Sequence, residues 1–219
     1  MGILPCVEIE PERDANASVI WLHGLGANGH DFEPIVSQLT LDASLSVRFV
    51  FPHAREIPVT VNNGFIMPAW YDIYEMAIDA KVDISGISRS AAEVKLLIKR
   101  EGKRGIASKK IALVGFSQGG AVVYESGLTC AKSLAGILGL STYFATHDTV
   151  APNKANRHTP IEIHHGLQDT VVPEMLGREA TQHFKKLGNP VTYKSYNMGH
   201  SVCEQQIEDI SEWINAVLA

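Results

Sequence analysis

Short runs of apolar, often β-branched residues recur along the chain and alternate with stretches whose apolar positions return every three or four residues. The runs at 18–23, 47–51, 110–115, 134–140, 161–165 and 191–196 are the predicted strands. Several have no polar face, as IALVG and GILGL show, which is the pattern of strands covered by helices on both sides. Helices are predicted at 31–38, 87–100, 118–130, 174–187 and 201–218. This alternation predicts an α/β fold with a mostly parallel central sheet and helices on both faces. In the last helix Cys203, Ile207, Ile210, Ile214, Val217 and Leu218 share one 3.6-residue face beside Trp213. That face is expected against the sheet, with Trp213 in the core.

The segment 52–83 breaks the alternation. Its stretch VTVNNGFIMPAWYDI holds turn residues and exposed-looking apolar residues without a sustained period, so it reads as a lid-like excursion from the sheet edge. The 219 residues, 45% hydrophobic and 20% charged, otherwise suit a single domain at 1–219. A net charge of −5 without long runs of one sign excludes the basic footprint of a nucleic-acid binder. Cys6, Cys130 and Cys203 are odd in number and far apart, which implies no disulfide framework. The start MGILPCVEIEPERD lacks the charged and apolar regions of a secretory signal, and the expectation is a cytoplasmic protein. Cys6 also stands where a myristoylation pattern wants Ser or Thr.

Chemistry enters with KKIALVGFSQGGAVVYESGL, where an apolar strand runs into Gly-x-Ser-x-Gly at 115–119 and then into a helical pattern. Strand, sharp turn and helix are the parts of a nucleophile elbow, with Ser117 at its tip and glycines where strand and helix approach. A serine hydroxyl needs a base to take its proton and a carboxylate to orient that base. The segment IEIHHGLQDTVVP places Asp169 in the loop after a strand, and VTYKSYNMGHSVC places His200 before the last helix. The order Ser117, Asp169, His200 is that of α/β-hydrolases. Two backbone N–H groups should receive the oxyanion: that of Gln118, after the nucleophile, and that of Leu25 in the turn SVIWLHGLGANGHDF. His23 is expected to fix this turn by hydrogen bonding rather than to move protons.

Two rival readings fail on particular residues. Gly24, Gly26 and Gly29 also satisfy the dinucleotide-binding pattern, but Phe51 and Pro52 occupy the place of the ribose-binding acid. His23, His164, His165 and His200 lack metal-site spacing, and the adjacent pair His164 and His165 should point to opposite faces of a strand. No metal is expected, and at least one of that pair should be structural. Apolar side chains for an acyl groove are sought in Ile66, Met67 and Trp70 of the excursion and in Tyr143 and Phe144 after LGLS.

With LHGLG, GFSQGGA, HGLQDTVVP and GHS in place, nearly the whole chain resembles the phospholipase/carboxylesterase family that includes acyl-protein thioesterases. AWYDI and LSTY look like its bacterial carboxylesterase members, whereas Asn28 and Pro68 depart from the usual residues. The resemblance implies an α/β-hydrolase fold, no cofactor, and hydrolysis of esters, with thioesters and lysophospholipids used by some members. By the same resemblance, Ser117, Asp169 and His200 form the triad and Leu25 and Gln118 the oxyanion hole. The leading expectation is a serine carboxylesterase acting on short to medium acyl chains, with acyl-protein thioesterase or lysophospholipase activity as the alternative and a non-catalytic binding protein as a distant one. Expected partners are a small-molecule or lipid ester, or an acylated protein, with transient contact to membrane surfaces. Oligomeric state leaves no signal.

Overall fold

Strands apolar on both faces can be stabilised only between two layers, and the computed structural model, which describes residues 2–75 and 81–219, supplies both. In chain order the strands are β1 (Cys6–Ile9), β2 (Ala17–Leu22), β3 (Val47–Pro52), β4 (Glu56–Val59), β5 (Phe65–Pro68), β6 (Ile111–Phe116), β7 (Gly136–Leu140), β8 (Ile161–Gly166) and β9 (Val191–Tyr196). The helices are α1 (Ile84–Lys103), α2 (Gln118–Leu128), α3 (Glu174–Leu187) and α4 (Glu204–Leu218). Seven strands make one sheet in the order β1-β3-β2-β6-β7-β8-β9, parallel throughout except for β1. The sheet and its helical layers have the α/β-hydrolase fold.

Side-chain alternation sends the two faces of each strand into separate cores. Leu113, Ile137 and Ile163 meet Leu97 of α1, Val122 of α2 and Phe184 of α3. Ala112, Val114 and Leu138 meet Ile210, Trp213 and Ile214 of α4 on the other side. Burying each such large side chain contributes ~1.5–3 kcal/mol. The α4 face is rotated from the one expected: Gln206, Ile210, Trp213, Ile214 and Leu218 are buried, while Cys203, Ile207 and Val217 are only half-buried.

Four further differences have local causes. The edge strand β1 pairs antiparallel with β3, and its half-buried CVEI carries too weak a pattern to be read. The segment predicted as a helix at 31–38 is a 3-10 helix at Glu33–Gln38, with Pro34 near its start. Helix α1 begins earlier than predicted because Asp83 caps it, its carboxylate accepting the Gly86 N–H at 2.9 Å. The excursion at 52–83 contains a separate hairpin, β4 and β5, turned at Asn63 and Gly64 with φ of 55° and 74°. The lid expected there falls partly on residues 76–80, outside the described residues.

An ion cluster ties the sheet edge to α1. Glu101 is fully buried and accepts from Arg48 Nη1 at 2.9 Å and from Arg104 Nη1 at 3.2 Å, while Glu10 takes Arg48 Nε at 2.9 Å. Removing one partner of such a cluster leaves charge without compensation in a dry setting. Glu101→Ala is expected to destabilise the fold by about 3–5 kcal/mol, measured as a lower urea midpoint at unchanged m-value.

Candidate active site

Phe116 ends β6 and Gln118 opens α2, so the chain reverses through one residue, Ser117, at φ 52° and ψ −120°. A non-glycine residue in this region is strained, and its neighbours must hold it there. Ser117 N–H donates to Leu140 O of β7 at 2.9 Å, and Ser117 O accepts from Thr142 Oγ1 at 2.6 Å and from Gly120 N–H at 2.9 Å. The glycines are space requirements: a Cβ on Gly115 would lie 2.5 Å from Gly119 O, and one on Gly119 would lie 2.5 Å from His23 O.

Two further loops meet the elbow at the C-terminal ends of β8 and β9. His200 Nδ1 donates to Asp169 Oδ2 at 2.7 Å, which leaves Nε2 as the unprotonated nitrogen of the neutral ring. Asp169 Oδ1 accepts from Val171 N–H at 2.9 Å and Val172 N–H at 2.8 Å. The Phe116 ring packs 4.7 Å from that of His200. Ser117 and His200 open on the same cavity of about 920 Å³, although no hydrogen bond joins the two side chains among the described residues.

The loop after β2 is the fourth piece. Gly26 N–H donates to Pro68 O at 2.8 Å, whereas Leu25 N–H has no backbone acceptor among the described residues. Gln118 N–H, at the first position of α2, has no acceptor within its helix. Both residues line the cavity. The Gln118 side chain is a bracket that sequence reasoning missed: Oε1 accepts Trp70 N–H at 2.8 Å and Nε2 donates to Tyr71 O at 2.7 Å.

His23 fixes this loop. Its Nε2 accepts Ala54 N–H at 3.1 Å, so the proton sits on Nδ1 and is donated to Gly24 O at 2.7 Å. Burial pushes its pKa down to about 4, which keeps the ring neutral. His164 and His165 turn to opposite faces: His164 Nε2 meets Glu162 at 2.8 Å, and His165 Nε2 donates to Val172 O at 2.9 Å. Burial lowers both of their pKa values. No cluster of three metal-ligating side chains occurs among the described residues.

The expected groove residues divide. Tyr143 and Phe144 line the cavity, with Tyr143 Oη 2.7 Å from Tyr71 Oη. Ile66, Met67 and Trp70 do not line it. Trp70 is 2% exposed and structural, its indole N–H donating to His23 O at 2.8 Å. Ile66 is on the outer hairpin and 63% exposed, and Met67 packs towards Gly26. The apolar wall comes instead from Ile73, Val82, Val171, Val172 and from Leu176 and Ala180 of α3. The spacing of the last two, one helical turn apart, and the apolar pair after Asp169 were the available signals.

A model of the family described as Phospholipase/Carboxylesterase matches residues 5–218. The chain belongs to this family. It is 38% identical over 213 residues to acyl-protein thioesterase 1 of Gibberella zeae, covering 92% of this chain and 91% of that protein. It is 36% identical over 216 residues to acyl-protein thioesterase 1 of Emericella nidulans, covering 92% and 90%. Among solved structures, Zea mays acyl-protein thioesterase 2 superposes with a TM-score of 0.88 at 28% identity, over 98% of this chain and 99% of that one. The chain is therefore a serine hydrolase acting on ester bonds.

The buried histidines make stability depend on pH. A histidine held neutral in the fold binds a proton in the unfolded chain first, so stability is present above about pH 6.5 and is lost as pH falls towards 4. For His23 the loss reaches about 3 kcal/mol at its limit. Urea unfolding between pH 7 and 5 should show this decline, with a shallower slope for His23→Asn; equal slopes would contradict a neutral buried His23.

Proposed function

We propose that the enzyme is a thioesterase and esterase of long-chain acyl groups, S-acylated proteins first among its substrates, and that Ser117, His200 and Asp169 carry the reaction. Ser117 Oγ attacks the acyl carbonyl as His200 Nε2 takes its proton. The developing oxyanion is met by Leu25 and Gln118 N–H, and Asp169 stabilises the imidazolium. His200 returns the proton to the departing sulfur or oxygen, and water then attacks the acyl-enzyme with His200 as base again. A cysteine thiol has a pKa near ~8.5, so it departs as the anion far more readily than an alcohol. The same geometry therefore serves both ester types.

The observation that carries this reading is the cavity of about 920 Å³ that starts at Ser117 and His200 and is walled by Tyr143, Phe144, Leu176 and Ala180. Its size is near the upper end of small-molecule sites and suits a long apolar chain. The expectation of short to medium oxygen esters gives way here to its alternative, which the identity to acyl-protein thioesterases also favours. Transient contact with a membrane surface is part of the proposal, supported by Phe65 and Ile66, 67% and 63% exposed on the β4–β5 hairpin.

Turnover of an S-palmitoylated peptide, a lysophospholipid and p-nitrophenyl esters of increasing length tests the substrate. The expected result is a kcat/KM that rises with chain length and includes the thioester; turnover of short esters alone would return the assignment to a carboxylesterase. Ser117→Ala or His200→Ala should lower kcat by roughly 10⁶ and Asp169→Ala by less. Leu25→Ala, which keeps the N–H, should retain most activity. A fluorophosphonate probe should add one mass adduct at Ser117, and its absence from folded protein would leave a non-catalytic binding protein as the reading.

A further inference from the structure

Asp169 sits among two histidines, and the reaction proposed above uses only one of them. His165, at the end of β8, is fully buried, and its Nε2 lies 3.6 Å from Asp169 Oδ2 while donating to Val172 O at 2.9 Å. We propose that His165 is a positioning residue: it fastens the loop 169–172 so that the Asp169 carboxylate stays aimed at His200. This inference rests on the assignment of Asp169 and His200 as acid and base.

The loop is held through a single residue from two directions. Val172 N–H donates to Asp169 Oδ1, and Val172 C=O accepts from His165. One carboxylate oxygen thus closes the loop on itself while the other, Oδ2, receives His200 Nδ1. Backbone bonds hold the start of the loop, Leu167 N–H donating to Tyr196 O at 2.8 Å and Gln168 N–H to Met198 O at 3.0 Å. His165 anchors its far end at Val172 to β8, which pairs with both neighbouring strands.

The way His165 is accommodated also favours a role beyond filling space. With the Nε2 proton committed to Val172 O, the lone pair is on Nδ1, which is buried and has no partner among the described residues. An unpartnered buried acceptor is unfavourable, and an apolar residue would avoid it. Helix α3 moreover makes room for the ring with Gly177, where a Cβ would lie 2.5 Å from Nδ1. The arrangement thus keeps the N–H donor despite the orphaned nitrogen opposite it.

Neutrality matters as much as the bond. The ionisable groups facing His165 are Asp169 of its own loop, Glu174 in the first turn of α3, and His200 after β9. A charged His165 beside Oδ2 would compete with the His200 imidazolium for the same carboxylate. Burial outweighs the two acids and holds His165 neutral, so the Asp169 charge serves His200 alone.

The test is kcat and KM of His165→Phe, His165→Gln and Gly177→Ala on an acyl thioester, together with urea midpoints. His165→Phe should lower kcat by roughly 10²-fold with little change in KM, as a misplaced group does. His165→Gln, which restores an N–H donor, should recover most of kcat. Gly177→Ala should reproduce the loss by pushing the ring, although Ala in a helix interior ordinarily stabilises relative to Gly. A lowered urea midpoint with wild-type kcat would overturn the proposal. Should His165→Phe not fold, wild-type kinetics in Gly177→Ala would overturn it equally. A wild-type protein that takes no fluorophosphonate label at Ser117 would instead overturn the triad assignment beneath it.

Discussion

The left-handed backbone at Ser117 is the constraint around which the rest of the molecule is arranged. Such a conformation in a non-glycine residue costs of order 1–3 kcal/mol and survives only where its surroundings leave no alternative. Here those surroundings are the sheet itself. Strand β7 takes the Ser117 N–H through Leu140, Thr142 holds its carbonyl, and the end of β2 presses on Gly119. The parallel order β2-β6-β7 is thus the source of the elbow's shape as well as the platform on which it stands. Register has the same consequence: Leu22 pairs with Gly115 and Leu140 with Phe116, so the three strands end together beside the serine.

Neutral, buried histidines hold the loops that surround this serine. His23 ties the loop of Leu25 to Ala54, and His165 ties the loop of Asp169 to β8. Each donates one N–H to a carbonyl of its own loop, and burial keeps each uncharged. Imidazole suits this task because its ordinary pKa lies near 6.5, so burial removes its charge at small expense, whereas a buried lysine or arginine would demand a counter-ion. Counter-ions serve elsewhere, where Arg48, Arg104 and Glu101 join the sheet edge to α1.

What was legible in the sequence follows from how local each signal is. The parallel strands were readable because burial on two faces leaves runs such as IALVG with no polar residue. The chain order of Ser117, Asp169 and His200 was readable because each lies directly after a strand. Strand β1 escaped because a four-residue edge strand, paired on one side only, needs no strong pattern. The β4–β5 hairpin escaped because two prolines and an exposed face mask its pairing, although the Asn63-Gly64 step was a usable turn signal. In α4, reading apolar residues alone turned the face slightly, since Gln206 and Ser211 are buried there as well.

The cavity lining was the least legible part, and Trp70 shows why. A tryptophan in an irregular, apolar segment invites assignment to a binding surface. Its neighbourhood in space reverses that: its indole N–H reaches His23 O, and its backbone N–H reaches the Gln118 side chain. Trp70 therefore joins the two loops whose N–H groups are proposed to receive the oxyanion, and Gln118 closes the bracket through Tyr71 O. No sequence period can announce such a role, because these two partners lie on separate elements brought together only by the sheet. The walls that do face Ser117 are drawn from α3, from the turn after Asp169 and from the segment after β7, each contributing one or two residues. Chemistry in this fold is carried by strand ends, which sequence marks; selectivity is carried by the intersection of several elements, which only the folded chain defines.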